Sequence, residues 1–357
     1  MNLVGWFDSP TGIGQSLRSL ARAAEASAIP IAGIDAAFLE PGRRPVAPYV
    51  LNLFHVNAEA SASIVELCGP AMHRGRANVG YWYWETEEFP ASWLDRFAYF
   101  DEIWVASEFC RAAIERASEI PVAVVPPPVI LESFDLSALG SRSGKPGDFR
   151  FLTISDAESV LERKNPLGAV RAFSRAFAGD PSVSLRVKIA NASGVPGLVR
   201  TLETAAAGAR VEIDTSPAGR GEIEQMLADC DAYVSLHRSE GFGLPIAEAM
   251  ALGKPVVATR YSGPSDFLDE TTGYPVEWTP VVLDRALDPY PAGTRWAEPD
   301  EAHAARRLAE VLGDRAESAR RGEAARRRIE ARYGLAAAGR RIAERLDRLL
   351  ARLAARP

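Results

Sequence analysis

Ser239-Glu240-Gly241-Phe242-Gly243-Leu244-Pro245-Ile246-Ala247-Glu248-Ala249-Met250-Ala251-Leu252-Gly253-Lys254-Pro255-Val256-Val257-Ala258-Thr259 is the most informative segment of the chain. An apolar run at 232–236 reads as a strand that enters it. Gly241 and Gly243 let the loop backbone approach a ligand closely. Pro245 stands where a first-turn proline is favoured, and a helix follows as far as Gly253. The run 256–259 reads as the next strand. A helix N-terminus after such a loop offers N–H groups and a positive dipole end, a natural seat for phosphate. Glu240 precedes the loop and Glu248 lies inside the helix, so one carboxylate can stand on either side of that seat.

Working outward, short apolar runs alternate with helical patterns. Strands are expected at 3–7, 50–55, 79–84, 103–106 and 122–125, with a helix at 16–28. A second set covers 149–155, 185–190, 211–213, 232–236 and 256–259, with helices at 166–177 and 222–228. Such alternation predicts right-handed βαβ units and mostly parallel sheets. Pro126-Pro127-Pro128 and the Ser/Gly/Lys-rich stretch 140–147 interrupt it and read as an interdomain connection. The expected fold class is α/β, with two Rossmann-like doubly wound domains facing across a cleft. The expected boundaries are 1–140, 148–330 and a C-terminal basic helix at 331–357 that packs on the body. Ligands of such sheets bind beyond the carboxyl ends of the strands, so the cleft is the expected site.

Composition agrees with two globular domains. The chain has 357 residues, 47% apolar and 25% charged, which excludes disordered, collagen-like and coiled-coil classes. A net charge of −6 argues against a general nucleic-acid binder. Only four lysines occur, Lys145, Lys164, Lys188 and Lys254, so a lysine beside a motif stands out. Cys68, Cys110 and Cys230 are far apart and suggest neither a zinc site nor a disulfide framework. No run suggests a signal peptide or a membrane span, and a cytoplasmic setting is expected. The tail from Arg315 carries 13 arginines against five acidic residues. Two readings stand. It is a solvated helix packing Leu346, Leu349, Leu350 and Leu353 on the body, or a basic amphipathic helix in peripheral contact with anionic lipid.

Glu240 and Glu248, with seven residues between them that include Gly-Phe-Gly-Leu-Pro, resemble the E-x7-E signature of retaining glycosyltransferases of family 4. The resemblance implies the GT-B fold, a nucleoside-diphosphate sugar as co-substrate and a saccharide or lipid-linked acceptor. It implies neither a cofactor nor a metal ion, and no cluster in the sequence has metal-ligand spacing. Glu162-Arg163-Lys164-Asn165-Pro166 is similar to the family segment whose lysine binds the donor pyrophosphate. Many members have a further arginine several residues earlier; here Ser155-Asp156-Ala157-Glu158-Ser159 has none, and Arg163 is the substitute considered. The loop Asp8-Ser9-Pro10-Thr11-Gly12-Ile13-Gly14 looks like the N-terminal glycine loop of these enzymes. Its next glycine position is Leu17, which disfavours a nicotinamide fingerprint.

By that resemblance, Glu240 holds hydroxyls of the transferred sugar and Glu248 the ribose. Lys164, Arg163 and the 241–244 loop with Phe242 and Leu244 neutralise the leaving diphosphate, while Gly12 and Gly14 approach the donor. Gly80-Tyr81-Trp82-Tyr83-Trp84-Glu85 ends a strand where relatives place an active-site His. Trp84 and Glu85 are expected to face the acceptor, or the aromatics are core packing. His55 and His237 follow strands and are further candidates. The donor leans to GDP-mannose or a related deoxyhexose donor, with UDP-sugars close behind, and the role to cell-envelope polysaccharide synthesis. Three rivals remain. A glycoside hydrolase needs two carboxylates about 5–9.5 Å apart across a bond and no phosphate loop. A nucleotide-sugar epimerase shares the fold. A non-enzymic nucleotide-sugar-binding protein would bind without transfer.

Overall fold

The structure is a computed structural model that describes residues 1–131 and 148–355. The 140–147 part of the expected connection lies outside the described residues. The chain divides into two compact units, Met1–Ile130 with Glu330–Pro357, and Leu131–Ile329.

The first unit begins β1 (Asn2–Gly5), α1 (Gly12–Ala26), β2 (Ala32–Asp35), β3 (Leu51–Phe54), α2 (Ala58–Cys68), α3 (Pro70–His73) and β4 (Ala77–Trp82). It continues with β5 (Glu102–Val105), α4 (Glu108–Glu115) and β6 (Val122–Val124). Its strands form one parallel sheet in the order β2-β1-β3-β4-β5-β6. β1, β3, β4 and β5 are buried along their whole length, as a parallel sheet covered on both faces requires. β1 ends at Gly5, where a Cβ would stand 2.8 Å from the His55 carbonyl oxygen, so only glycine fits there without a shift. α1 opens earlier than the apolar pattern suggests, with Thr11 Oγ1 accepting the Gly14 N–H.

The second unit contains β7 (Phe149–Asp156), α5 (Leu161–Lys164), α6 (Pro166–Phe177), β8 (Val183–Ala190), α7 (Leu198–Ala206) and β9 (Val211–Asp214). Then come α8 (Arg220–Asp229), β10 (Ala232–Ser235), α9 (Leu244–Ala251), β11 (Val256–Thr259) and β12 (Tyr274–Val276). The order is β12-β11-β10-β7-β8-β9, again all parallel. An antiparallel hairpin, β13 (Trp278–Val282) with β14 (Arg295–Pro299), precedes α10 (Glu301–Gly313) and α11 (Arg315–Tyr333). Phe151, Phe173, Phe177, Val187, Leu202 and Leu308 anchor this unit's core.

In each sheet the chain reverses its direction of winding once, between β1 and β3 and between β7 and β10. A doubly wound sheet opens its ligand crevice at such a point. The loops there carry Asp8–Thr11 and His55 in the first unit, and Arg163, Lys164 and Glu240 in the second.

The tail is two helices rather than one. α12 (Leu335–Ala354) belongs to the first unit. Ala338, Ile342, Leu346 and Leu349 join the core of α1 there. Leu350 is exposed instead, and the Leu353 side chain lies outside what is described. Gly339 allows the close helix crossing, since a Cβ there would strike Ser27 Oγ and stand 2.7 Å from the Ala23 carbonyl. Fully buried Glu102 on β5 pairs with Arg345 and Arg352 of α12 and accepts the Trp104 indole N–H at 2.9 Å. Breaking a buried charge cluster strands its partners. Glu102→Gln should therefore cost about 2–4 kcal/mol of stability, read by urea unfolding. A cost under about 0.5 kcal/mol would show that this cluster does not fasten the helix.

Candidate functional site

The second unit brings the motif residues together at its switch point. Val160 and Asn165, both at positive φ, bracket the single turn of α5 that carries Arg163 and Lys164. Asn165 caps α6 by accepting the Gly168 N–H at 3.0 Å and donates its amide to the Leu236 carbonyl at 2.8 Å. The Arg238 N–H donates to the Arg163 carbonyl at 2.7 Å. These bonds stitch the loop after β7 to the loop after β10.

Glu240 lies at the centre of this junction. Lys164 Nζ donates to its Oε1 at 2.6 Å and Arg163 Nη1 to its Oε2 at 3.1 Å. Burial alone would push the Glu240 carboxyl up. The Lys164 ammonium and Arg163 guanidinium outweigh that and hold it down at about 2. Arg163 is itself buried and also donates to the carbonyls of Ser239 at 2.8 Å and Ser159 at 3.1 Å. It braces the loop from within instead of standing open as a phosphate contact. Lys164 is the more exposed of the two cations, at 17% of its side chain against 6%.

The glycine loop then enters α9. Gly243 takes φ +87° as the helix N-cap, a left-handed position that favours glycine. Leu244 and Pro245 form its first turn. Phe242 is buried against Phe267, with ring centroids 5.4 Å apart, so its side chain is core and not a donor contact. Glu248, 1% exposed, accepts Arg220 Nη2 at 2.5 Å on Oε1. Arg220 Nε also donates to Glu224 Oε1 at 2.9 Å. Burial raises the Glu248 carboxyl above its ordinary value, against the pull of Arg220. His237 is fully buried between Ser235 and Tyr261.

The first unit revises several expectations. Trp84 is 2% exposed, donates its indole N–H to the Glu88 carbonyl at 2.7 Å and stacks edgewise on Phe89 and Trp93. It is core, not an acceptor face. Glu85 and Tyr83 are the half-buried neighbours. The Tyr83 hydroxyl donates to Ser16 Oγ at 2.5 Å. His55 is fully buried, with Nε2 2.9 Å from Ser16 Oγ and its ring stacked on Tyr81 at 4.5 Å. Burial lowers its pKa to about 3, and with no exposed surface in the first unit its ring is core, not an acceptor face. Gly14 is a packing glycine, because a Cβ there would stand 2.2 Å from the Ser9 carbonyl. Gly12 has open space where its Cβ would be.

The sequence reading missed Arg220 and Ser262. Arg220 opens a helix that the apolar pattern starts two residues later, and its partner Glu248 is remote in sequence. Among the described residues, no group of three or more His, Cys, Asp or Glu is placed to hold a metal ion. No described helix is long and apolar enough to cross a membrane.

Sucrose-phosphate synthase from Thermosynechococcus elongatus superposes with a TM-score of 0.71 at 15% identity, over 98% of each chain. Anabaena HepE, crystallised with UDP and glucose, gives 0.67 at 16% identity, over 97% of this chain and 99% of HepE. A TarM mutant from S. aureus, crystallised with UDP, fondaparinux and alpha-GlcNAc-glycerol, gives 0.61 at 16% identity. That match covers 84% of this chain and 55% of TarM, so the chain spans about half the length of that protein. At such identities the likeness shows the fold, which is GT-B with two Rossmann-like units. A search of curated proteins finds no match. The profile described as Family 4 Glycosyltransferase in conflict systems matches residues 107–342, two thirds of the sequence. The chain belongs to that glycosyltransferase family.

Proposed function

We propose that this protein is a retaining hexosyltransferase that takes its sugar from a nucleoside-diphosphate donor. One observation carries the reading: a partly exposed lysine and a buried arginine converge on a buried, ionised glutamate beside a glycine-capped helix, at the switch point of a parallel sheet. Lys164 and the N-terminus of α9 would neutralise charge growing on the leaving diphosphate. Glu240, held ionised by its two cations, would accept hydroxyls of the transferred sugar. Glu248 would take the ribose. In a same-face reaction the bond from the anomeric carbon to the acceptor oxygen forms as the bond to the diphosphate oxygen breaks. A donor phosphate oxygen takes the acceptor proton, so no protein nucleophile is required. Glu85, half-buried just after β4, would be the first-unit residue that contacts the acceptor. Saccharide and lipid-linked acceptors of cell-envelope synthesis are the acceptor class proposed.

The donor preference follows the relatives. HepE and TarM were crystallised with UDP, which puts UDP-sugars ahead of the GDP-mannose-like donor favoured from sequence. A thermal-shift panel of UDP-glucose, UDP-GlcNAc, GDP-mannose and dTDP-glucose tests the reading. A true donor at about 100 times its Kd should add about 2.7 kcal/mol of stability. NMR of the product anomer then reads retention. An isomerised donor without acceptor would make the protein an epimerase, and no response to any nucleotide would overturn the reading.

A further inference from the structure

Ser262 follows β11 at φ +60° and ψ −151°. That region is essentially reserved for glycine, and a residue held there reports a surrounding structure that imposes it. What imposes it is visible. Ser262 Oγ accepts the Glu240 N–H at 2.8 Å and donates to the Tyr261 carbonyl at 2.7 Å. The next residue, Gly263, donates its N–H to the Glu240 carbonyl at 2.9 Å. Two consecutive residues of one loop thus hold both main-chain polar groups of Glu240 in another.

The contact is backbone on backbone. A Cβ on Gly263 would stand 2.4 Å from the Gly241 carbonyl oxygen and 2.9 Å from Phe242 Cα. The Tyr261 carbonyl also receives His237 Nε2 at 3.2 Å, while Ser235 Oγ lies 3.2 Å from His237 Nδ1. The chain of donors is therefore Ser235 to His237 to the Tyr261 carbonyl, where Ser262 arrives from the other side. All of it is buried or nearly so. With its N–H and C=O both fixed, Glu240 leaves the backbone in one direction, and Lys164 and Arg163 meet it there. Glycine would relieve the strain but supply no oxygen. Alanine would keep the strain and supply none either. Serine is the smallest residue that adds the oxygen.

We propose that Ser262 is a positioning residue that aims the Glu240 carboxylate, its strained backbone being the consequence of bringing a hydroxyl to the Glu240 amide. The effect on turnover rests on the functional reading above; the clamp itself does not.

The test compares Ser262→Gly, Ser262→Ala and the wild-type full chain. Ser262→Gly should melt higher than Ser262→Ala, since only glycine adopts this conformation without strain. Both should nevertheless lose turnover at least about 10-fold, with the donor KM within about threefold, as expected when a reacting group is misaimed and ground-state binding is kept. UDP-glucose is the first donor probed. A residue that mattered only for stability would let activity recover in Ser262→Gly, and that recovery would overturn the proposal. A second readout needs no substrate. Amide hydrogen exchange at Glu240 should quicken at least about 10-fold in both variants, because its N–H loses its partner. Unchanged exchange there would also overturn the clamp. If the wild type turns over no nucleotide sugar, the functional reading fails and the exchange measurement alone decides the role of Ser262.

Discussion

Lys164→Ala is expected to lower donor turnover at least about 100-fold, the usual cost of removing a major electrostatic group from a site where charge develops. The geometry explains why this lysine and not its neighbour should dominate. Arg163 is buried and committed to two carbonyls and a carboxylate. Lys164 donates to Glu240 at 2.6 Å from a partly exposed position, at 17% of its side chain against 6% for Arg163, so it is the cation nearer to solvent. Removing it leaves Glu240 still paired with Arg163 but takes away the nearer of its two opposing charges, so the protein should still fold with a lowered melting temperature. Lys164→Arg keeps the charge but changes its shape and reach, and should recover part of the activity. Steady-state kinetics with the donor chosen by thermal shift decide the matter. Near-normal turnover in a folded Lys164→Ala protein would remove Lys164 from the reaction.

Much of this was legible in the sequence because parallel strands are buried on both faces and read as apolar runs. β2 and β12 were not legible, for a common reason. Both are edge strands. Ala32-Gly33-Ile34-Asp35 has one bulky apolar residue, and β12 contains Pro275, which an edge tolerates and a centre does not. The motif around Glu240 was readable because it is local. Its supports were not. Arg220 reaches Glu248 over 28 residues and Ser262 reaches Glu240 over 22. Asn165 carried a usable signal: an asparagine before a proline can take the left-handed conformation and cap the next helix. At 82–85 the aromatic density is plain in the sequence, but the end of β4 at Trp82 carries no local signal. Past that end, strict strand alternation no longer holds, and Trp84 turns into the Phe89–Trp93 cluster.

Glu240→Gln carries the other large effect, and its pH dependence separates pairing from catalysis. The wild-type carboxyl is held at about 2 in the folded protein against an ordinary value of 4.5. Its folded pKa is depressed, so the stabilisation is fully present above the ordinary value and is lost as pH falls through the folded one. A gap of that size corresponds to about 3 kcal/mol at neutral pH. The glutamine variant should be less stable than wild type by about that amount at pH 7, and the difference should fall to roughly half by pH 3. Urea titrations at the two pH values measure it. A difference that is absent at pH 7, or the same at both, would contradict the paired and ionised carboxylate that the structure places between Lys164 and Arg163. Turnover by the variant at pH 7 should drop at least about 100-fold, because a neutral amide is a weaker and differently shaped acceptor for the sugar hydroxyls than the carboxylate it replaces. Wild-type turnover should then keep Glu240 ionised well into the acid range. An acid limb between pH 4.5 and 7 would come from another group, and Glu248, whose burial raises its carboxyl, is the site residue shifted in the required direction.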